Sequence, residues 1–168
     1  MQSKLNLLLL MLLFMSPGTV MSLSTDKDKP MDIEADRVEI DDKTGYSTFR
    51  GNVKITKGSI RLNAQTVVVY ESNGVLDKVI ARGTPVYFRQ RPDGKSDDVI
   101  AEANRIEFYS RKNLIYLINK AKIKQENDSF SGDRIEYDTL RSVILAKSVP
   151  SASGGGGRVR ITIQPKKK

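Results

Sequence analysis

Glu34-Ala35-Asp36-Arg37-Val38-Glu39-Ile40 returns 68 residues downstream, with no gap, as Glu102-Ala103-Asn104-Arg105-Ile106-Glu107-Phe108. The same offset relates Ala64-Gln65-Thr66-Val67-Val68-Val69 to Gly132-Asp133-Arg134-Ile135-Glu136-Tyr137. Four copies of one corner result, beginning at Ala35, Ala64, Ala103 and Gly132, each with a small residue followed by apolar residues three and five positions on. Those three positions cannot share a face of a regular strand, where side chains alternate with period two. A bend or bulge at Asp36-Arg37, Gln65-Thr66, Asn104-Arg105 and Asp133-Arg134 would restore the apolar groups to one side and turn each strand from one sheet toward a facing one; the alternative is that these polar pairs are ordinary solvated turn residues. Repeated units of this kind build an extended surface more readily than a single catalytic pocket.

Outward from the corners, most apolar segments alternate with polar residues, as in Val53-Lys54-Ile55-Thr56, Ile60-Arg61-Leu62-Asn63-Ala64, Leu114-Ile115-Tyr116-Leu117-Ile118 and Val159-Arg160-Ile161-Thr162-Ile163. These read as half-buried strands. Turn signals separate them, including Asp42-Lys43-Thr44-Gly45, Lys57-Gly58-Ser59, Ser72-Asn73-Gly74 and Pro92-Asp93-Gly94. No helical window competes, so an all-β, antiparallel domain of two similar halves is expected. Taking the apolar phase inward gives a lining that includes Val38, Ile40, Val53, Ile55, Phe88, Ile106, Phe108 and Tyr116. Most of these positions are expected to be core; whether the two layers close or leave a cleft stays open at this point. Asn113 and Lys120 stand 68 residues after Gly45 and Asn52, and the exchange predicts different turn geometry in the two halves.

The chain has 168 residues and a formal net charge of +8, with no Cys and no His. Lys4 precedes the apolar run Leu5 to Met15, and Ser16-Pro17-Gly18 follows it, the pattern of a secretory signal peptide over residues 1–22, with cleavage after Ser22 or Ser24. The run is too short to span a bilayer. The expected organisation is a signal at 1–22, one exported domain at 23–165 and a solvated basic tail, Lys166-Lys167-Lys168, at 166–168. Without cysteine an exported domain must hold itself together by burial and backbone pairing, which suits a bacterial periplasm.

The absence of His and Cys removes the commonest general bases, the usual zinc ligands and thiol nucleophiles together. There is no G-x-S-x-G elbow, and Gly154 to Gly157 lacks the Lys and Ser/Thr of a phosphate loop. No cofactor and no metal are expected. Carboxylate pairs at Asp41-Asp42 and Asp97-Asp98 would serve glycoside hydrolysis only if brought together, but both lie in predicted turns. Acidic residues are interleaved with the basic ones and aromatics make up 7% of the chain, so the platforms that stack nucleic-acid bases are missing. A phosphorylated glycolipid headgroup, met by residues such as Lys54, Arg61, Arg89 or Arg91, suits the positive charge better.

Four segments in order, Asp28-Lys29-Pro30-Met31-Asp32-Ile33-Glu34-Ala35-Asp36, Thr48-Phe49-Arg50-Gly51-Asn52-Val53-Lys54-Ile55-Thr56-Lys57-Gly58, Gly83-Thr84-Pro85-Val86-Tyr87-Phe88-Arg89-Gln90 and Ser131-Gly132-Asp133-Arg134-Ile135-Glu136-Tyr137, resemble the LptA family of periplasmic lipopolysaccharide-transport bridge proteins with the OstA-like domain. The resemblance runs from about Asp28 to Pro165. It implies an elongated, V-shaped antiparallel β-jelly roll that carries the acyl chains of lipopolysaccharide in its apolar interior, with Met31, Ile33, Phe88 and Phe108 falling on lipid-contact positions. It also implies a homo-oligomer joined head to tail, bridging an inner-membrane lipopolysaccharide exporter subunit and an outer-membrane lipopolysaccharide assembly protein of related fold.

A shielded path makes physical sense, because each exposed CH₂ costs about 0.8 kcal/mol and a dozen of them on the order of 10 kcal/mol. An alternating strand that ends the fold is an aggregation hazard unless it is used; Val159, Ile161 and Ile163 on that strand are expected to pair with the region Met31 to Ile40 of the next copy. Two other functions compete with a non-enzymatic carrier. One is a carbohydrate-active periplasmic β-solenoid enzyme dependent on Asp41-Asp42 or Asp97-Asp98; the other is a strand-pairing assembly scaffold that carries no lipid.

Overall fold

The computed structural model describes residues 26, 28–148 and 158–164. The signal segment 1–22, the Gly154 to Gly157 run and the Lys166 to Lys168 tail lie outside them. Ten strands follow in chain order: β1 (Met31–Glu34), β2 (Arg37–Asp41), β3 (Tyr46–Lys57), β4 (Ile60–Ser72), β5 (Val75–Gln90), β6 (Val99–Tyr109), β7 (Leu114–Gln125), β8 (Asp128–Asp138), β9 (Val143–Lys147) and β10 (Arg160–Thr162), with one 3₁₀ turn at Ser110–Lys112. All pairings are antiparallel, and all ten strands belong to one sheet of order β1-β3-β4-β5-β6-β7-β8-β10, in which β2 also pairs with β3 and β9 with β8.

That sheet is creased across its strands. Register shifts lie between Arg50 and Val53, Asn63 and Thr66, Arg82 and Val86, Glu102 and Arg105, and Ile118 and Ala121, and they line up from strand to strand. At the two ends of the line the chain leaves β1 for β2 around Asp36, and β8 exchanges its partner β10 for β9 between Ser131 and Arg134. The four predicted bends all sit on this crease. Because the chain crosses it in β3 to β8, each long strand contributes to two limbs, which gives the V-shaped jelly roll.

The interior follows from the same register. In the first limb the residues facing inward form a cross-strand row, Ile33, Ile55, Leu62, Phe88, Ala101, Ile123, Phe130 and Ile161, in which every residue is apolar. In the second limb Val38, Phe49, Val67, Ala81, Ile106, Leu117, Ile135 and Ala146 form the corresponding row. Both rows join one hydrophobic cluster, except for edge residues such as Val38 and Ile161, which are half exposed. Among the described residues the only other regular element is a three-residue turn, so no helix or second sheet among them covers this face.

β4, β6 and β8 change side-chain phase at the crease, as the repeated corner requires. β3 and β7 keep their phase by a different device, a pair of left-handed residues: Gly51 (φ 79°) with Asn52 (φ 46°), and Asn119 (φ 62°) with Lys120 (φ 55°). These pairs are 68 residues apart, as are Gly45 (φ 65°) and Asn113 (φ 52°), and Gly58 (φ 56°) and Glu126 (φ 53°). The prediction that turn geometry differs between the halves is therefore corrected. The second half holds the same backbone conformations with side chains that tolerate them less well, and the sheet around them sets the geometry.

Gly45 shows why the first half uses glycine. Its φ is positive, and a Cβ there would overlap the carbonyl oxygen of Glu71, whose N–H donates to the Gly45 carbonyl at 2.8 Å. Gly45→Val is expected to lower stability by at least about 2 kcal/mol, read from the urea midpoint. An unchanged midpoint would show that this turn moves aside without cost.

Candidate functional site

The inner face of the sheet carries most of the groove residues predicted from sequence. Val53 (1% exposed), Ile55, Phe88 and Ile106 are buried in the central cluster, and Phe108 and Ile33 pack half-buried against it. Val38 (50% exposed) and Ile40 (63%) stand on the same face, as their cross-strand partners Phe49 and Ser47 show, but on the edge strand β2, where nothing covers them. Met31, at the start of the other edge strand β1, is likewise exposed.

Tyr116 requires a correction. On β7 the inward side chains are Ile115 and Leu117, so Tyr116 points to the outer face, where its register partners are Glu107 and Glu136. There its ring meets that of Tyr109 edge-on at 5.5 Å and lies 4.4 Å from the Arg134 guanidinium. The Tyr109 hydroxyl donates to Glu107 at 2.9 Å, and this bond to a carboxylate is the first cause of its raised pKa. Five consecutive apolar residues, Leu114 to Ile118, hide the phase in the sequence. The 68-residue register reveals it, because Leu117 answers to Phe49 and Tyr116 to Thr48.

The seam between the limbs is closed. Val67, Val86, Val99, Leu117 and Ile135 are 0% exposed. An accessible slot along the whole interior is thus not a feature of this state. What is open is the apolar surface at the two edges of the sheet. One edge carries Met31, Val38 and Ile40; the other carries Val143, Leu145, Ile161 and Ile163, between 47% and 72% exposed. The expected last strand is shorter than the sequence suggested: β10 spans only Arg160–Thr162, paired with β8. Ile161 lies opposite Phe130, Ile163 follows the strand, and Val159 precedes it and packs near Gly132.

Beyond the seam, two clefts stand out among the described residues. One of about 360 Å³ lies along the crease between Asn52, Val53, Lys54, Asn63, Ala64, Gln65, Thr84 and Pro85. Gln65 donates to the Thr84 hydroxyl there at 3.1 Å. The other, about 210 Å³, lies at the tip of the first limb between Ser59, Arg61, Arg89, Arg91 and Asp98. Lys54 is not part of the second cleft; it pairs with Glu34 at 3.8 Å.

One member of each acidic pair is committed to local structure. Asp41 accepts hydrogen bonds from the backbone N–H groups of Lys43 (3.0 Å) and Thr44 (3.2 Å), and its pKa is lowered chiefly by hydrogen bonding to Thr44. Asp98 accepts from Arg89 Nε at 2.6 Å and Arg91 Nε at 2.9 Å; the Arg91 bond is the main reason its carboxyl titrates below the usual range. Among the described residues no cluster of acidic side chains is arranged to hold a metal ion.

Residues 32–143 match the family described as LptA/(LptD N-terminal domain) LPS transport protein. The lipopolysaccharide export system protein LptH of Pseudomonas aeruginosa is 36% identical over 151 residues, covering 88% of this chain and 86% of that protein. LptA proteins of Haemophilus influenzae and Escherichia coli K12 are 31% and 29% identical, covering 93% and 96% of this chain. The crystal structure of LptH, the LptA-homologous periplasmic component of the lipopolysaccharide transport device of P. aeruginosa, superposes with a TM-score of 0.75 at 34% identity, covering 83% of this chain and 99% of that one. The creased sheet, its repeated corners and these relatives agree, and the chain belongs to the LptA/LptD N-terminal domain family of lipopolysaccharide transport proteins.

Proposed function

We propose that the protein is a non-enzymatic periplasmic carrier that shields the acyl chains of lipopolysaccharide between its two limbs and passes the lipid from inner toward outer membrane. Residues 1–22 would be its export signal and 23–165 the carrier domain. The observation that carries the reading is the unbroken apolar row from Ile33 across eight strands to Ile161. At about 4.8 Å per strand the row is about 34 Å long. Its two ends lie on the edge strands, so a second copy placed edge to edge would continue it. A head-to-tail homo-oligomer, capped by an inner-membrane exporter subunit at one end and an outer-membrane assembly protein at the other, fits that arrangement.

Loading requires the closed seam to part. The cost is limited because an acyl chain replaces the apolar contacts that each limb loses, so little hydrocarbon surface meets water at any stage. The exposed edge residues give a tail its first contacts.

Photocrosslinking groups placed singly at Ile33, Phe88 and Phe108 in cells, with outward-facing Lys124 as control, test the reading. Lipopolysaccharide is expected on the first three and not on the fourth. Lipid at Ile33 without lipid at Phe88 would confine binding to the edge and refute carriage in the interior. Lipid at none of the three would leave a strand-pairing scaffold without cargo.

A further inference from the structure

The cleft at the tip of the first limb is lined by three guanidinium groups and one carboxylate, and with the Asp26 carboxylate behind Ser59 an excess of one positive charge remains. Arg61 on β4 is the direct cross-strand partner of Arg89 on β5, a like-charge pairing that costs stability in a sheet. The surrounding structure pairs Arg89 with Asp98 and holds Arg61 through backbone carbonyl groups. One nitrogen of Arg61, Nη1, is held by the carbonyl oxygens of Gly58 (2.7 Å) and Ile60 (2.8 Å). Arg89 and Arg91 share the Asp98 carboxylate, with Arg89 Nη2 at 2.5 Å.

The walls are tied as well. The Arg91 N–H donates to the Ser59 hydroxyl oxygen at 3.0 Å, and the Ser59 N–H and hydroxyl donate to the two carboxylate oxygens of buried Asp26, each at 2.6 Å. Asp26, Ser59 and Arg91 are thereby joined about one cationic recess. Guanidinium forks preset in this way match the oxygens of a phosphate, and a cleft of about 210 Å³ admits one such group. Leu62 and Phe88, the neighbours of Arg61 and Arg89 on the same two strands, belong to the inner apolar row and point to the opposite face, so the recess stands on the outer face at the tip of the limb, and a headgroup reaches it around the strand ends.

We propose that this cleft binds a phosphate group, supplied by the headgroup of the lipid whose acyl chains enter the interior, with Arg61 and Arg91 as its ligands and Asp98 and Ser59 as positioning residues. The inference rests on the carrier reading above. The full chain and its Arg61→Gln/Arg91→Gln double variant, with Arg89 kept to hold Asp98, are titrated with bisphosphorylated lipid A, with the same lipid after removal of both phosphates, and with inorganic pyrophosphate. The expected result is at least a tenfold weaker affinity of the variant for the phosphorylated lipid, no change for the dephosphorylated one, an unchanged melting temperature, and partial recovery in Arg61→Lys/Arg91→Lys.

Equal affinity of wild type and variant for the phosphorylated lipid overturns the proposal. Equal losses for both lipids overturn it too, by assigning the arginines to the shape of the tip. Pyrophosphate binding that is lost in the variant, without discrimination between the lipids, overturns the headgroup assignment and leaves a site for soluble phosphates. Failure of the wild type to bind either lipid would count against the carrier reading, and the pyrophosphate titration would still report on the cleft.

Discussion

Leu117→Asp is expected to leave no cooperative unfolding transition, with the protein recovered as aggregate or as an unstructured chain. Leu117 is 0% exposed and lies between Ile106 and Ile135 in the middle of the seam. Aspartate there loses the leucine's burial, worth roughly 2 kcal/mol, and must either hold a charge without a partner or take up a proton without a hydrogen-bond acceptor, each costing several kcal/mol more. The total approaches the 5–15 kcal/mol that typically separates folded from unfolded states. Near-ultraviolet circular dichroism and thermal unfolding decide the outcome. A folded variant with a normal melting transition would mean that the limbs are already separated in solution.

Ile33→Asp is expected to do the opposite: fold, and lose at least tenfold in lipopolysaccharide affinity, about 1.4 kcal/mol. Ile33 faces the interior opposite Ile55, but on the four-residue edge strand β1, where it is only half-buried. Water can reach the new carboxylate, so the melting temperature should fall by only about 2–8 °C. The neighbouring residue is the control. Glu34 points the other way and makes an exposed ion pair with Lys54, so Glu34→Gln should change neither quantity measurably. Unchanged lipid affinity in Ile33→Asp, measured by fluorescence displacement on the purified protein, would remove β1 from the entry path.

The contrast between Leu117 and Ile33 also marks what sequence could and could not disclose. The crease was legible because each corner breaks the period of two at a fixed place, and only a bend reconciles Ala35 with Val38, or Gly132 with Ile135. The phase of β7 was not, since Leu114 to Ile118 are apolar on both faces. The outer face accepts Tyr116 because Tyr109 and Arg134 cover it. Closure of the seam was illegible for a different reason. The pattern of inward residues is the same for limbs that touch and limbs that stand apart, and only their burial distinguishes the two. The arginine cleft was half legible. The positive charge marks Arg61, Arg89 and Arg91 as candidates for an anion but does not separate Lys54 from them, and the role of Asp98 depends on a loop whose path the pattern does not specify.

The left-handed residues spaced 68 apart carry a consequence for motion. They show that the second half reproduces the backbone of the first, so that β3 corresponds to β7 and β4 to β8, a shift of four strands or about 19 Å. A hydrocarbon tail travelling across the strands would meet Val53 and Ile55 and then, one shift later, Ala121 and Ile123 in the same attitude. Such a track has near-equal resting places at regular steps and no built-in downhill direction. It permits passage either way at similar cost, and net flow along it has to be imposed by supply at one end and removal at the other.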